Sequence, residues 1–420
     1  MLEKVEAAMR SKIFEYIDSN REQIIRLLQE MVRIPSPTYH EGDLAQFVER
    51  QLQMLGMKVW IDPLGDVTGT LKGRENLPFF LLNTHLDQAE PGDMENPFSG
   101  EMMDGERFGV SGKVIYGRGT NGQKASLAAM ISAVRAVVDL NIPIKRGLAI
   151  NAGVMEECGG HLGPRYLMER DKLPVYWVVS GEHTDLLPVI GHRGMINIQL
   201  SIKGKGAHTA APEGSSSALS GAAKVVLALE ELKRGLPLDK TFGQALVALN
   251  RLFVLPNVAN VIPDRVDAVV DARHPASLPR DEIVSMIQAS IAKAVASQEG
   301  LKHTAEIRRS KVVSYTGLEE WSDGCMYPFY TPDDHPLVTN LIDSIEGVCG
   351  KRPEPGLWTI SSETGYFSTV CGLPVTAFGP GEDRFTHNRE EHVKVEDVIK
   401  ATKVYADMVS KVCCESGGKG

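Results

Sequence analysis

Four short apolar runs, residues 78–84, 147–153, 175–180 and 374–378, limit the fold most sharply. Each has the length of a strand and shows little alternation between apolar and polar positions, as strands covered on both sides do. Segments of helical period accompany them at 123–139, 163–170, 337–348 and 395–412. Strands and helices in alternation predict an α/β fold with a mostly parallel sheet covered by helices. Residues 1–56 add further helices, one with Ile24, Ile25, Leu27, Leu28 and Met31 on its apolar face, the next with Leu44, Phe47, Val48, Leu52 and Leu55. Pro35 and Pro37 part them, and shorter strands are expected at 57–61, 67–71 and 114–116.

The texture changes after Ile190. Residues 195–202 alternate, 217–234 and 281–296 read as helices, and 260–272 and 304–313 read as strands. That order predicts a small antiparallel sheet with two helices, an α+β lid or dimerisation domain inserted into the first. Residues 319–330, polar and aromatic, read as the linker back. The expected division is 1–189 for the first part of a catalytic domain, 190–322 for the insert and 323–420 for the second part. The tail at 417–420 is expected to be disordered.

Composition excludes several functions. A net charge of -9 without any basic run argues against nucleic acid as a partner. The first twenty residues place Glu3, Lys4, Glu6, Arg10, Lys12 and Glu15 among apolar residues at helical spacing, which reads as an amphipathic surface helix and not as a signal peptide. No apolar stretch approaches the ~18 residues of a membrane span. Cys158, Cys325, Cys349, Cys371, Cys413 and Cys414 form no CxxC pair, so a disulfide framework and a zinc ribbon are both unexpected and a cytoplasmic location is expected.

Chemistry gathers at the strand ends. Glu156 and Glu157 follow the run 147–153, and adjacent carboxylates there repel each other's charge unless a cation separates their tasks. One can then bind a metal while its neighbour acts as general base. His85 and Asp87 end the run 78–84, with the acid placed to orient the imidazole. Glu182 and His183 follow 175–180, and the loop 379–388 after the last run carries Glu382, Asp383 and His387. Ligands collect at this edge of open α/β sheets. The sequence Gly117-Arg118-Gly119-Thr120-Asn121-Gly122 mimics a dinucleotide fingerprint, but Asp139 ends the following helix where the ribose-binding acid should end a strand. Gln123 after Gly122 excludes a P-loop, and no G-x-S-x-G elbow is present.

These motifs resemble the metallopeptidase and amidohydrolase family of acetylornithine deacetylase, succinyl-diaminopimelate desuccinylase and aminoacylase, along nearly the whole chain. The resemblance implies two metal sites, His85 with Glu182 and Glu157 with His387, and makes Glu156 the general base and Asp87 the group that orients His85. It implies a small-molecule substrate, one or two divalent ions (Zn, Mn or Co), and a homodimer through the lid. Gly204-Lys205-Gly206-Ala207-His208 would carry the His that reaches a partner's site to stabilise an oxyanion, and Asn260 and Arg273 would contact substrate.

Two stretches depart from the family's pattern. Gly122 stands where the family's metal-bridging Asp lies in Gly-Arg-Gly-x-x-Asp-x-Lys-Gly, and Ala125 replaces the last glycine. Two divalent cations would face only Glu157, Glu182 and one hydroxide, an under-neutralised pair in a low-dielectric cleft. One tightly bound metal, or one tight and one weak, is therefore expected, with His183 available as a further ligand. In Ser361-Ser362-Glu363-Thr364-Gly365-Tyr366, Gly365 removes the family's carboxylate-binding Arg. The function expected is hydrolysis of a C–N bond in an amide or N-acyl substrate by metal-activated water. The alternatives are hydrolytic deamination of an aromatic amine with a single metal, as in 5-nitroanthranilate aminohydrolase, and a non-catalytic binding relative.

Overall fold

The apolar runs form the centre of one sheet in the computed structural model, which describes residues 2–158 and 160–414, with side chains from residue 7 onward. The tail 417–420 lies outside the described residues. Strands Leu148–Gly153, Phe79–His85, Val175–Ser180 and Val375–Ala377 lie side by side and parallel. The register levels their carboxyl ends, pairing His85 with Gly153, Asn83 with Ser180, and Ser180 with Ala377. Strands Val67–Leu71 and Lys58–Ile61 extend one side antiparallel. Val189–His192 and Phe329–Tyr330 extend the other side antiparallel, and Gly356–Trp358 joins Val189–His192 parallel to it. The sheet is thus mixed, parallel at the centre and antiparallel at its flanks.

Both faces of the central strands are buried, and consecutive residues feed different cores. Phe80, Leu82, Leu148, Ile150 and Val179 join the larger apolar cluster, while Leu81, Ala149 and Val178 join a second one with Leu167, Phe367 and Val375. Each such side chain contributes about 1.5–3 kcal/mol on leaving water. Helix Gln123–Asp139 is buried on nearly every side, between the sheet, the final helix Val395–Cys413 and the N-terminal helices Leu2–Ser19 and Arg21–Val32. It begins at Gly122, so the glycine loop is anchored by the most deeply packed helix of the chain. No helix among the described residues is long and apolar enough to cross a membrane.

A second sheet has its own core. Strands Leu246–Leu255, Arg265–His274, Gly194–Lys203 and Lys302–Ile307 run antiparallel in that order. Helices Ala218–Gly235 and Arg280–Ala296 pack on one face, and Gly194–Lys203 alternates between buried and exposed positions as a one-face strand must.

Several sequence expectations need correction. Leu246–Leu255 was not anticipated as a strand; Asn250 and Arg251 interrupt its apolar pattern, and most of its side chains face solvent at the sheet edge. Residues 319–330 are not a plain linker, because Glu319–Asp323 pairs with Arg309–Val313, Cys325–Met326 pairs with Gly194–Lys203, and Phe329–Tyr330 pairs with Val189–His192. The run 304–313 is divided into Lys302–Ile307 and Arg309–Val313, and 260–272 into Val261–Ile262 and Arg265–His274 across Pro263. Proline has no amide to give to a ladder. A further three-stranded sheet of Glu101–Asp104, Lys113–Tyr116 and His392–Lys394 pins the loop 379–391 toward the cleft.

Candidate active site

The turn after Leu148–Gly153 organises the site. Met155 adopts a left-handed φ of 65° there, an expensive conformation for a residue with a side chain. Four consecutive amides hold it, each donating to a carboxylate. Val154 N donates to Asp66 Oδ1 at 2.9 Å and Met155 N to Glu41 Oε1 at 3.2 Å. Glu156 N and Glu157 N donate to the two oxygens of Asp87 at 3.1 and 3.0 Å. Asp87 also accepts from Thr38 Oγ1 at 2.9 Å and lies 3.1 Å from His85 Nδ1. One fully buried aspartate therefore fixes the backbone beneath both glutamates and directs His85 Nε2 away from itself.

The ligand-type side chains His85, Glu156, Glu157, Glu182, His183 and His387 line one cleft of about 260 Å³. Met195, Met326, Trp358 and Ile360 line the same cleft, with the Trp358 ring against His183. Within this set, His387 Nε2 lies 3.0 Å from Glu157 Oε1, and His183 Nδ1 lies 4.0 Å from Glu182 Oε2. Burial, with Glu182, Glu157 and Glu363 adding repulsion, pushes the Glu156 carboxyl well above the usual carboxylate range. Burial likewise pushes Glu182 up to about 7. Burial alone would lower His85, but its contact with Asp87 and the charges of Glu156 and Glu182 reverse that and hold it well above an ordinary imidazole. Burial lowers His183 to about 4, leaving that ring neutral.

The donor chemistry fits a divalent cation. Buried carboxylates outnumber the cationic groups beside them, and burial raises their proton affinities, so a cation held between them would be what keeps them ionised. The distances taken alone argue less strongly, since among the described residues no three imidazole, thiol or carboxylate groups are already arranged to hold an ion. Turning a side chain costs about 1 kcal/mol, whereas unbalanced buried charge costs several kcal/mol per ion.

The residues expected from the lid are not in this cleft. His208 and Asn260 are exposed, with His208 Nε2 3.3 Å from Asn260 Nδ2. Arg273 stands nearer, but its guanidinium is engaged by Asp271 at 2.9 Å and by Ser361 Oγ at 3.2 Å. No side chain fits at position 365, because a Cβ there would meet the Tyr327 carbonyl oxygen at 1.8 Å. The glycine loop cradles one of the protein's own carboxylates: Glu391 Oε1 accepts from Gly119 N at 2.7 Å and Asn121 N at 3.2 Å, and Arg118 pairs with Oε2. Its amides are therefore already occupied by an anion, which excludes the nucleotide reading in physical terms.

Glu41, Asp66, Glu363 and Glu391 were not singled out from sequence. Glu41 lies 114 residues from the amide it holds, and no local spacing signals such a contact. Glu363 is 1% exposed with neither oxygen hydrogen-bonded, and burial pushes it up to about 8. Its place in the chain, beside the missing arginine position, was the one available signal.

Comparison with known proteins agrees with this geometry. Residues 81–411 match the family model described as Peptidase family M20/M25/M40. The uncharacterised protein YgeY of Escherichia coli is 26% identical over 404 residues, covering 94% of this chain and 95% of that protein. The succinyl-diaminopimelate desuccinylase of Helicobacter hepaticus is 26% identical over 407 residues, covering 92% and 96%. An M20-family metallo-carboxypeptidase from Sulfolobus solfataricus shares the fold with a TM-score of 0.73 at 17% identity, covering 92% of this chain and 98% of that one. Together, sheet, cleft and matches define a metal-dependent hydrolase acting on C–N bonds. The chain belongs to peptidase family M20/M25/M40.

Proposed function

We propose that this chain cleaves an amide or N-acyl bond next to an apolar group, with Glu156 as general base. The observation that carries this reading is the position of Glu156, buried at the cleft on a backbone that Asp87 holds while also orienting His85. His85 and Glu182, with Glu157 and His387 alongside, are the residues that would hold a divalent ion, Zn, Mn or Co by donor type. Such an ion supplies Lewis-acid polarisation of a carbonyl and a water acidic enough to ionise near neutral pH. Glu156 takes the water's proton at its carboxylate and returns it to the leaving nitrogen. With Gly122 offering no bridging carboxylate, one tightly bound ion is the expected stoichiometry.

Substrate orientation falls to apolar contact and to the lid. Met195, Met326, Trp358 and Ile360 receive an apolar group, while Gly365 and the engaged Arg273 leave no cation free for a carboxylate in the family's usual place. His208 Nδ1 accepts from Ala210 N at 3.1 Å, which puts the proton of the neutral ring on Nε2 and requires the Asn260 amide to turn its oxygen toward that N–H. That N–H is the donor an oxyanion needs, and in a homodimer it would come from a second copy. The exposed Leu252, Phe253 and Leu255 of the edge strand Leu246–Leu255 are the surface for that pairing. The test is Glu156→Gln against a panel of dipeptides, N-acyl amino acids and aromatic amines, the last covering the deaminase reading. Turnover should fall about 100–10,000-fold at unchanged thermal stability; turnover indifferent to the substitution would sink the mechanism.

A further inference from the structure

We propose that His183 is a metal ligand, forming with His85 and Glu182 a two-imidazole, one-carboxylate site. This inference rests on the metal-hydrolase reading above and says which side of the cleft holds the ion. His183 follows Glu182 directly at the end of the strand Val175–Ser180, is 9% exposed, and lines the cleft. Its Nε2 lies 3.2 Å from Asp383 Oδ1, at ion-pair distance but out of hydrogen-bond alignment. Asp383 is itself held by Trp358 Nε1 at 3.1 Å, and the Trp358 ring meets the His183 ring edge-on at 4.8 Å. With its Nε2 turned to donate to Asp383, the His183 ring would leave Nδ1 as a lone-pair donor. His85 likewise has a carboxylate beside one ring nitrogen, Asp87 at 3.1 Å from Nδ1.

Distance supports a shared ion. Two donors bound at about 2.0–2.2 Å in tetrahedral geometry stand about 3.3–3.6 Å apart, and His183 Nδ1 lies 4.0 Å from Glu182 Oε2, so a small turn of either side chain brings both onto one ion. The opposite side of Nδ1 is kept open by Gly122, where a Cβ would come within 3.2 Å of it. Gly122 has a φ of 128°, which residues with side chains rarely adopt. A side chain at 122 would therefore be both strained and crowded against the imidazole. The glycine and the histidine fit each other, and two imidazoles with one carboxylate leave a coordination position open for water or substrate.

The test is Co(II) titration of chelator-stripped full-length protein, read by visible absorption and by competition for affinity. Wild type should bind cobalt with a ligand-field band that His183→Asn alters, and the substitution should weaken binding by more than about 100-fold, beyond the 10–100-fold typical of an outer supporting residue. Asp383→Asn should fall within that 10–100-fold range. Melting of the metal-free proteins guards against misfolding, and His183→Gln serves if the asparagine variant is unstable. Equal affinity and an unchanged spectrum in a folded His183 variant would overturn the proposal while leaving the hydrolase reading intact. A wild type that takes up no cobalt would overturn both.

Discussion

The turn at 154–157 and the lid tip at His208 and Asn260 both carry groups assigned to the reaction, yet they are held very differently. Four consecutive amides of the turn are bound by three carboxylates drawn from residues 41, 66 and 87. His208 and Asn260 are exposed and share one 3.3 Å contact. The proposed base, Glu156, thus sits on a backbone fixed before any substrate arrives, at the cost of a strained Met155 and buried acids. The proposed oxyanion donor, His208, would be positioned only by another surface that reaches it. On the proposed roles, a rigid centre and an open rim would make the reaction depend on assembly.

The largest effect should follow from breaking the rigid half. Asp87→Ala leaves the amides of Glu156 and Glu157 and the Thr38 hydroxyl without their acceptor in a buried place. A loss on the order of 3–5 kcal/mol is expected, seen as a lower denaturation midpoint together with lost activity. Normal stability with lost activity would show instead that Asp87 acts only through His85.

The open half should behave in the reverse way. His208→Ala should lower kcat about 100–1000-fold while stability stays within about 0.5 kcal/mol. Mixing His208→Ala with Glu156→Gln should restore activity, because a hybrid dimer contains one site with an intact base and an intact donor. No recovery on mixing would place the donor within its own subunit. Phe253→Asp on the exposed edge strand should yield monomers, read by sedimentation, with activity near that of His208→Ala.

A smaller effect separates the buried acids behind the turn from the reacting ones. Burial raises Glu363 from 4.5 to about 8, so the folded state holds this proton more tightly than the unfolded one. Its contribution to stability is complete below about pH 4.5 and is lost as pH rises through about 8. Glu363→Gln should therefore stabilise the metal-free protein at pH 8, by up to roughly 4 kcal/mol, and should change little at pH 4. Urea midpoints at the two pH values check this; a substitution equally neutral at both would mean the carboxyl titrates as if solvated.

The same contrast explains what could be read without coordinates. The central strands and the helix Gln123–Asp139 are visible because apolar runs and helical period are local properties, and a carboxylate or imidazole at each strand end is visible with them. The contacts that hold the turn are long-range, and Glu41 before helix Gly42–Met54 looks like an ordinary acid at a helix start. Glu391, in an exposed-looking run of charges, proves to fill the glycine loop. The edge strand Leu246–Leu255 was hidden for another reason, since a strand with one face solvated and a charged interruption carries neither clean period.

Metal per subunit, measured by elemental analysis of protein purified without chelator or added metal, bears most directly on the central claim that the carboxylates around the turn are balanced by a bound cation. A value near one, retained through dialysis, is the predicted result. A value near zero that stays there after soaking in Zn and Mn would contradict it.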